Sequence, residues 1–251
     1  MIPKNLNILD YPKYVPKYAG IGDTICYLNM LENIGKEKSR KIELYVVRRS
    51  EYFQRVSDIY DSLDLKFVNV HFSDFKTVAG NGENEYIVFR PPRNWNSSWT
   101  NDWLYGCGLR ECIGYNNMVK FKDQIICKND VVGVSFTIAS NPSRNISNQS
   151  VINVIEECID NNKNVVYFGF RNRADKYILE KFGDKIEYCD YDLKYTIKRI
   201  GECSEFIGAD SGMAWLAAFH RVKTKILIGK SFGCIPNIFG DIPWVCIEVE
   251  K

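Results

Sequence analysis

The chain has 251 residues, of which 45% are hydrophobic and 25% charged, and its formal net charge is +2. This composition is that of an ordinary globular protein, and the near-neutral charge predicts neither a nucleic-acid partner nor electrostatic attraction to a membrane surface. The length allows one large domain or two small ones.

Cysteine usage and apolar runs indicate the chemistry and the compartment. The nine cysteines include no C-x-x-C pair, and the chain has only two histidines, so we expect no metal site. The amino-terminal segment is polar and interrupted by prolines, which is not typical of a secretory leader. No apolar run reaches about 18 residues. We therefore expect reduced thiols, a cytoplasmic location and no transmembrane segment.

Strands and helices alternate in the first half. A strand is predicted at residues 5–10, and Pro12 and Pro16 are expected to keep residues 11–18 out of any central strand. Apolar residues at helical spacing predict a helix over residues 25–34. The other predicted elements are a strand at 41–47, a helix at 50–63, and strands at 65–71 and 85–90.

A turn of small residues, Gly20 to Thr24, opens the first of these helices. Asp23 stands at the end of the turn, and two interpretations are open. The carboxylate caps the helix, which is the commoner role for such an aspartate, or it is presented into a cleft.

Three tryptophans follow one another at a spacing of four residues: Trp95, Trp99 and Trp103. On a helix they would share one face. Such a stripe commonly packs into the core, and the alternative is an aromatic platform for a sugar. We assign Trp95 and Trp99 to an acceptor-binding surface.

The alternation is more regular in the second half. A linker is predicted at residues 128–130, so the expected domains are 1–127 and 128–251. Predicted strands lie at 131–136, 164–168, 185–188, 205–207, 225–228 and 244–249, and predicted helices at 151–159, 174–182, 193–200 and 213–220. This order predicts a doubly wound parallel sheet of Rossmann type with ligands at the carboxyl ends of the strands.

A second turn of small residues, Gly208 to Gly212, joins a buried strand to an apolar helix. Backbone N–H groups are unpaired at the start of a helix, and the helix dipole makes that end positive. The turn therefore predicts a phosphate-binding site, although a capped helix packed on a parallel sheet fits the same residues.

Both turns resemble one family. Ile21-Gly22-Asp23 resembles the amino-terminal "IGD" turn of the heptosyltransferase-like GT-B glycosyltransferases of family 9. The segment 206–218 resembles that family's donor-binding turn, and residues 165–169 with Asp175 resemble its "VLFGG…D" segment. The resemblance covers about residues 20–31 and 131–231. Among the departures, Trp215 stands where the family usually has a histidine, and residues 221–223 stand where it commonly has "G-x-P".

The resemblance implies a GT-B fold, with two Rossmann-like domains facing across a cleft and a nucleotide-sugar donor. It implies that the donor is held by Gly22, Arg144, Gly169, Arg171, Asp210, Ser211, Gly212 and Met213. Asp23 would be the general base that deprotonates an acceptor hydroxyl, and attack in line would invert the anomeric centre. No metal or other cofactor is expected, since the helix dipole and Arg144 would take the leaving-group charge.

Two other functions fit the same fold: a nucleotide-sugar epimerase of GT-B layout and a non-catalytic nucleotide-binding module. The acceptor is a glycan or another hydroxyl compound. The chain also contains Asp190-Tyr191-Asp192, which spells the D-x-D metal signature of the unrelated GT-A glycosyltransferases. We interpret Asp190 and Asp192 as a strand end and a helix cap, because they lie inside a regular strand–helix series.

Overall fold

The structure is a computed structural model. It describes residues 13–16, 20–47, 50–73, 87–89, 119–123, 125–136, 146–169, 176–190, 192–229 and 244–249. The chain divides into two compact units, Met1–Lys122 and Asp123–Lys251. No helix in the described ranges is long and apolar enough to cross a membrane.

The first unit contains a four-stranded parallel sheet in the order β3-β2-β1-β4. Its strands are β1 (Lys13–Pro16), β2 (Ile42–Val47), β3 (Val68–Ser73) and β4 (Ile87–Phe89), and its helices are α1 (Ile21–Glu37) and α2 (Ser50–Ser62). The chain runs outward from β1 through β2 to β3, and β4 lies on the other side of β1. This is the order of a doubly wound sheet.

The prediction that the prolines exclude residues 11–18 from a central strand is wrong. β1 lies between β2 and β4, pairing Tyr14 with Leu44 on one side and Val15 with Val88 on the other. Pro16 is the last residue of the strand, so its missing N–H falls at the end of the ladder.

Helix α1 packs against α2, β2 and β3. The predicted apolar stripe is confirmed, since Ile25, Leu28, Leu31 and Ile34 are all fully buried. The buried carboxylate of Glu32 accepts backbone N–H bonds from residues 66–68, over 2.5–3.0 Å. These bonds hold the chain in a bend, and β3 therefore begins at Val68 rather than at the predicted residue 65.

The second unit contains a six-stranded parallel sheet in the order β10-β9-β8-β5-β6-β7. Its strands are β5 (Lys128–Ser135), β6 (Asn164–Phe168), β7 (Glu187–Cys189), β8 (Cys203–Ala209), β9 (Lys223–Gly229) and β10 (Trp244–Val249). Its helices are α3 (Asn148–Asp160), α4 (Lys176–Phe182), α5 (Leu193–Gly201) and α6 (Gly212–Phe219), with a 3-10 turn at Gly183–Lys185. The predicted doubly wound parallel sheet is confirmed.

The first residues of β5 correct the predicted linker. Lys128 to Asp130 are exposed, as a linker would be, but they extend the strand, and Lys128 pairs with Cys203 of β8. The register shifts between Lys128 and Val132. From Val131 onward β5 is buried on both faces, which explains its continuous apolar sequence.

Candidate functional site

The sheet of the second unit reverses its direction of growth between β5 and β8. From β5 the chain builds β6 and β7 on one side and then returns to place β8, β9 and β10 on the other. In open parallel sheets, ligands bind outside the carboxyl ends of the strands at such a switch point. Here those ends carry Ser135 on β5 and Gly208 on β8, which pair directly in register.

Gly208 allows the two strands to approach closely at this point. A Cβ atom on residue 208 would lie 2.3 Å from the backbone oxygen of Ser135. No real Cβ contact is that short, and a backbone oxygen in a buried ladder has little freedom to move. The glycine in the predicted turn is therefore required by the packing of the sheet.

Helix α6 begins directly beyond the switch point. Its N-cap is Ser211, in extended conformation (φ −144°, ψ 168°), and the serine side chain makes no capping bond. Ser211 Oγ is buried and has no hydrogen-bond partner among the residues that the structure describes. The first hydrogen bond inside the helix runs from Trp215 N to Ser211 O, at 3.2 Å. The N–H groups of residues 212–214 thus have no partner within the helix.

Two other α-helices of the second unit, α3 and α5, have starts that a side chain closes. Ser147 accepts a bond from Ser150 N at the start of α3, over 3.2 Å, and Asp192 accepts one from Tyr195 N at the start of α5, over 2.8 Å. The interpretation of Asp192 as a helix cap is therefore confirmed. The start of α6 differs from both, since the hydroxyl of its N-cap Ser211 makes no capping hydrogen bond.

Asp210 is held inside the protein by Trp215. The carboxylate is only 3% exposed, and its Oδ1 accepts a hydrogen bond from Trp215 Nε1 over 3.1 Å. Trp215 is also 3% exposed. The residue that departs from the family pattern is thus a buried partner of Asp210, and the bond fixes the turn that leads into α6. The sequence analysis did not predict this pair. The available signal was the short separation, since Asp210 precedes the helix by two residues and Trp215 lies in its first turn.

We call residues 208–213 the second-unit turn and residues 20–24 the first-unit turn. The first-unit turn follows β1, at the point where the order β3-β2-β1-β4 reverses. Thr24 N donates to Gly20 O over 2.9 Å, so Gly20 occupies the N-cap position and α1 starts at Ile21. Asp23 is the third residue of the helix, and the interpretation of Asp23 as its N-cap is wrong. A carboxylate in the first turn remains favoured by the helix dipole.

The predicted site residues fall into three groups. Ser211, Gly212, Met213 and Asp210 are brought together at the start of α6. Gly169 directly follows β6, which is separated from β8 by β5, and donates its N–H to Cys189 O over 3.5 Å. Gly22 lies in the buried first turn of α1 beside Asp23. Outside the described residues lie Arg144, Arg171, Trp95, Trp99 and Trp103.

Comparison with known proteins shows the fold. No protein-family model and no curated sequence matches the chain. It is similar to the solved structure of a glycosyl transferase family 9 protein from Veillonella parvula, with a TM-score of 0.66 and 13% identity over 97% of this chain and 87% of that one.

Two structures from E. coli are also similar. ADP-heptose lps heptosyltransferase II has a TM-score of 0.65 and 11% identity, over 93% of this chain and 89% of that one. Heptosyltransferase WaaC with ADP has a TM-score of 0.58 and 10% identity, over 94% and 92%. The predicted resemblance to the heptosyltransferase-like glycosyltransferases is confirmed at the level of the fold, since all three neighbours are glycosyltransferases and the parallel α/β sheets were expected.

Proposed function

We propose that this chain is a glycosyltransferase that moves a sugar from a nucleotide-sugar donor to a hydroxyl acceptor. The observation that carries the proposal is the open start of α6 at the switch point of the second sheet. Its N-cap serine caps nothing, and three backbone N–H groups have no partner within the helix. Backbone donors at the positive end of a helix suit the diphosphate of such a donor.

The donor site would be assembled around the second-unit turn. The diphosphate lies on the N–H groups of Ser211, Gly212 and Met213. Arg144 neutralises the charge that builds on the leaving diphosphate, and Gly169 and Arg171 line the side where the nucleoside falls. The buried Asp210 accepts hydrogen bonds from the sugar hydroxyls and keeps the turn in place through its bond to Trp215.

The acceptor would be activated from the first unit. Asp23 takes the proton of the acceptor hydroxyl as that oxygen attacks the anomeric carbon. The bond from the anomeric carbon to the diphosphate oxygen breaks, and the nucleoside diphosphate leaves with both bonding electrons. Gly22 allows the backbone to approach the bound sugar, and Trp95 and Trp99 hold the acceptor. Attack opposite the leaving group inverts the anomeric configuration.

We further propose that the reaction needs no divalent metal. The helix start and Arg144 supply the positive charge that a metal would otherwise supply to the leaving diphosphate. The D-x-D sequence is consistent with this proposal, because Asp192 Oδ1 accepts a hydrogen bond from Tyr195 N and so caps α5. Turnover in excess chelator should equal turnover without it, and loss of activity restored by Mn²⁺ or Mg²⁺ would overturn this part of the proposal.

Release of nucleoside diphosphate tests the function. A thermal-shift screen against nucleoside diphosphates and nucleotide sugars first identifies the donor, because a ligand bound to the native state raises the melting temperature. The released diphosphate is then measured with and without candidate acceptors. A transferase releases it only when the acceptor is present. An epimerase changes the sugar without any acceptor, and a non-catalytic module binds the donor without turnover.

A further inference from the structure

A buried carboxylate stands beside the open start of α6. Asp210 comes two residues before Gly212, the first residue of the helix, and is 3% exposed. Its Oδ1 accepts a hydrogen bond from Nε1 of Trp215 over 3.1 Å, and Trp215 is the fourth residue of α6. The carboxylate therefore lies beside the first turn of the helix, whose backbone N–H groups have no partner inside it.

Two features of the turn favour the ionised form of Asp210. Burial alone would favour the neutral acid. The indole N–H of Trp215 only donates, however, and a donated hydrogen bond stabilises a carboxylate more than a neutral acid. The residue also stands at the amino-terminal end of α6, where the helix dipole is positive. The turn thus places a negative charge next to backbone groups that are suited to a phosphate.

A nucleotide sugar and the nucleoside diphosphate released from it differ in charge at their terminal phosphate. When the bond from the anomeric carbon to the diphosphate oxygen breaks, that oxygen keeps both bonding electrons. The second ionisation of a terminal phosphate lies at about pH 6. At pH 8 the released diphosphate therefore carries about one negative charge more than the diphosphate of the donor.

We propose that Asp210 is a specificity-determining residue that favours the nucleotide sugar over the nucleoside diphosphate released from it. This inference rests on the proposed function, in which the diphosphate lies on the N–H groups of residues 211–213 and Asp210 accepts bonds from the sugar hydroxyls. A group that contacts the sugar lies on the side of the oxygen that leaves with the diphosphate. Once the sugar has gone, the carboxylate faces the added charge of the product. Because Asp210 is buried, this repulsion is weakly screened and assists product release.

Two matched ligands isolate the added charge. The first is whichever of ADP, GDP, CDP, UDP and dTDP raises the melting temperature most, and the second is the methyl ester of its terminal phosphate. The ester keeps the nucleoside and both phosphates and lacks only the second ionisation. Both dissociation constants are measured by calorimetry at pH 8. The readout is the Kd of the nucleoside diphosphate divided by the Kd of its ester.

Neutral substitutions of Asp210 should lower this ratio. Asp210→Asn removes the charge and keeps an oxygen that can accept the bond from Trp215. We expect the ratio to fall by on the order of tenfold, as for two charges a few Å apart in a partly buried site. Asp210→Ser is a second neutral variant that should shift the ratio in the same direction, and it decides the question where the asparagine variant does not fold.

Asp192→Asn is the matched control. Asp192 Oδ1 accepts a hydrogen bond from Tyr195 N over 2.8 Å at the start of α5, and asparagine caps a helix about as well. The substitution removes the same charge from the second unit. However, α5 follows β7, which lies three strands from β8, about 14 Å at the usual strand spacing. This exceeds the Debye length of about 8 Å at physiological ionic strength, so the ratio should stay within about twofold.

The outcomes separate this inference from the proposed function. A parent protein that binds neither ligand overturns both, because the second-unit turn then holds no diphosphate. If the parent and Asp210→Asn bind both ligands with the same ratio, the diphosphate site stands and Asp210 does not discriminate by charge. A ratio that falls equally in Asp192→Asn would assign the effect to the net charge of the unit and would also overturn the inference.

Discussion

The two turns at the switch points are built alike and held differently. Each joins a parallel strand to a helix through small residues, and each leaves the N–H groups of the first helical turn without a partner inside the helix. The second-unit turn is held locally, by a bond from Trp215 to Asp210 five residues away. The helix that follows the first-unit turn is also held from a distance, because the hydroxyl of Tyr27 on α1 is hydrogen-bonded to that of Tyr60 on α2.

Under the proposed function the two turns have different tasks, one holding the donor and the other presenting the general base. An open helix start that holds a diphosphate needs only its own backbone, so local contacts suffice. A carboxylate that must meet a proton on another molecule needs its position fixed by a part of the fold outside its own helix. The predictions below test whether the two turns are separable in this way.

The largest effect is expected at Asp23. Asp23→Asn keeps the size of the side chain and removes its ability to take a proton. Since Gly20 is the N-cap, the substitution removes no cap. Turnover should fall at least about a hundredfold while donor binding and the melting temperature stay at parental values. Near-parental transfer in this variant would leave the first-unit turn without a catalytic role.

Gly208→Ala should cost the most stability. The added Cβ would lie 2.3 Å from Ser135 O, a backbone atom, so the strands must separate at the switch point. We expect the free energy of unfolding, measured in urea, to fall by about 1–3 kcal/mol. Gly183→Ala is the control, because its added Cβ meets nothing within 4 Å and only its φ of +48° opposes the change. A smaller loss at residue 208 than at residue 183 would contradict the close approach described above.

Trp215→Phe tests the local bond that holds the second-unit turn. The substitution removes the indole N–H, so the buried Asp210 loses a hydrogen-bond donor, at a cost of about 1–3 kcal/mol in the free energy of unfolding. Affinity for the nucleoside diphosphate that the thermal-shift screen identifies should fall with it, while amide exchange at residues 20–25 stays unchanged. Trp215→His, which keeps a ring N–H, should lose less of this affinity. Parental nucleotide affinity in the phenylalanine variant would show that the bond does not hold the second-unit turn in place.

Acid should destabilise the second unit through His220. Burial lowers the pKa of His220, the C-cap of α6, to about 4 from an ordinary value of 6.5. Between these two pH values the unfolded chain binds more protons than the native one. The contribution of His220 to the free energy of unfolding is therefore fully present above pH 6.5 and is lost as the pH falls toward 4. The slope is at most about 1.4 kcal/mol per pH unit.

Urea unfolding at several pH values measures this slope. His220→Gln should flatten it, because glutamine does not titrate. An unchanged slope in His220→Gln would assign the acid sensitivity to other groups.

The sequence predicted what depends on local pattern. The apolar run of β5, the small residues before α6 and the alternation of elements indicated the parallel sheets and the second-unit turn. Asp192 could be interpreted as a cap because a cap acts within three residues. The position of the switch point, with Ser135 beside Gly208, depends on strand order, which pattern alone does not contain.

Three features required contacts distant in the sequence. β1 can be a central strand because Pro16 is its last residue, so the missing N–H of the proline interrupts no hydrogen bond inside the ladder. The register that places Pro16 there is not contained in the local sequence. β3 begins late because Glu32 of α1 binds the backbone at residues 66–68. The hydrogen bond between Tyr27 and Tyr60 joins two helices and has no sequence signature. Local propensity therefore predicted the second-unit turn better than it predicted how α1 is packed.

The most direct test of the central claim is a calorimetric titration with the nucleoside diphosphate that the thermal-shift screen identifies. Gly212→Val places a branched side chain at the first residue of α6, where the diphosphate would meet the backbone. Asn148→Val is the control, since it places valine at the first residue of α3, whose start Ser147 closes. We predict that the parent and Asn148→Val bind this nucleotide with equal affinity and that a folded Gly212→Val variant shows no binding. Equal affinity in all three proteins would contradict a donor site at the start of α6.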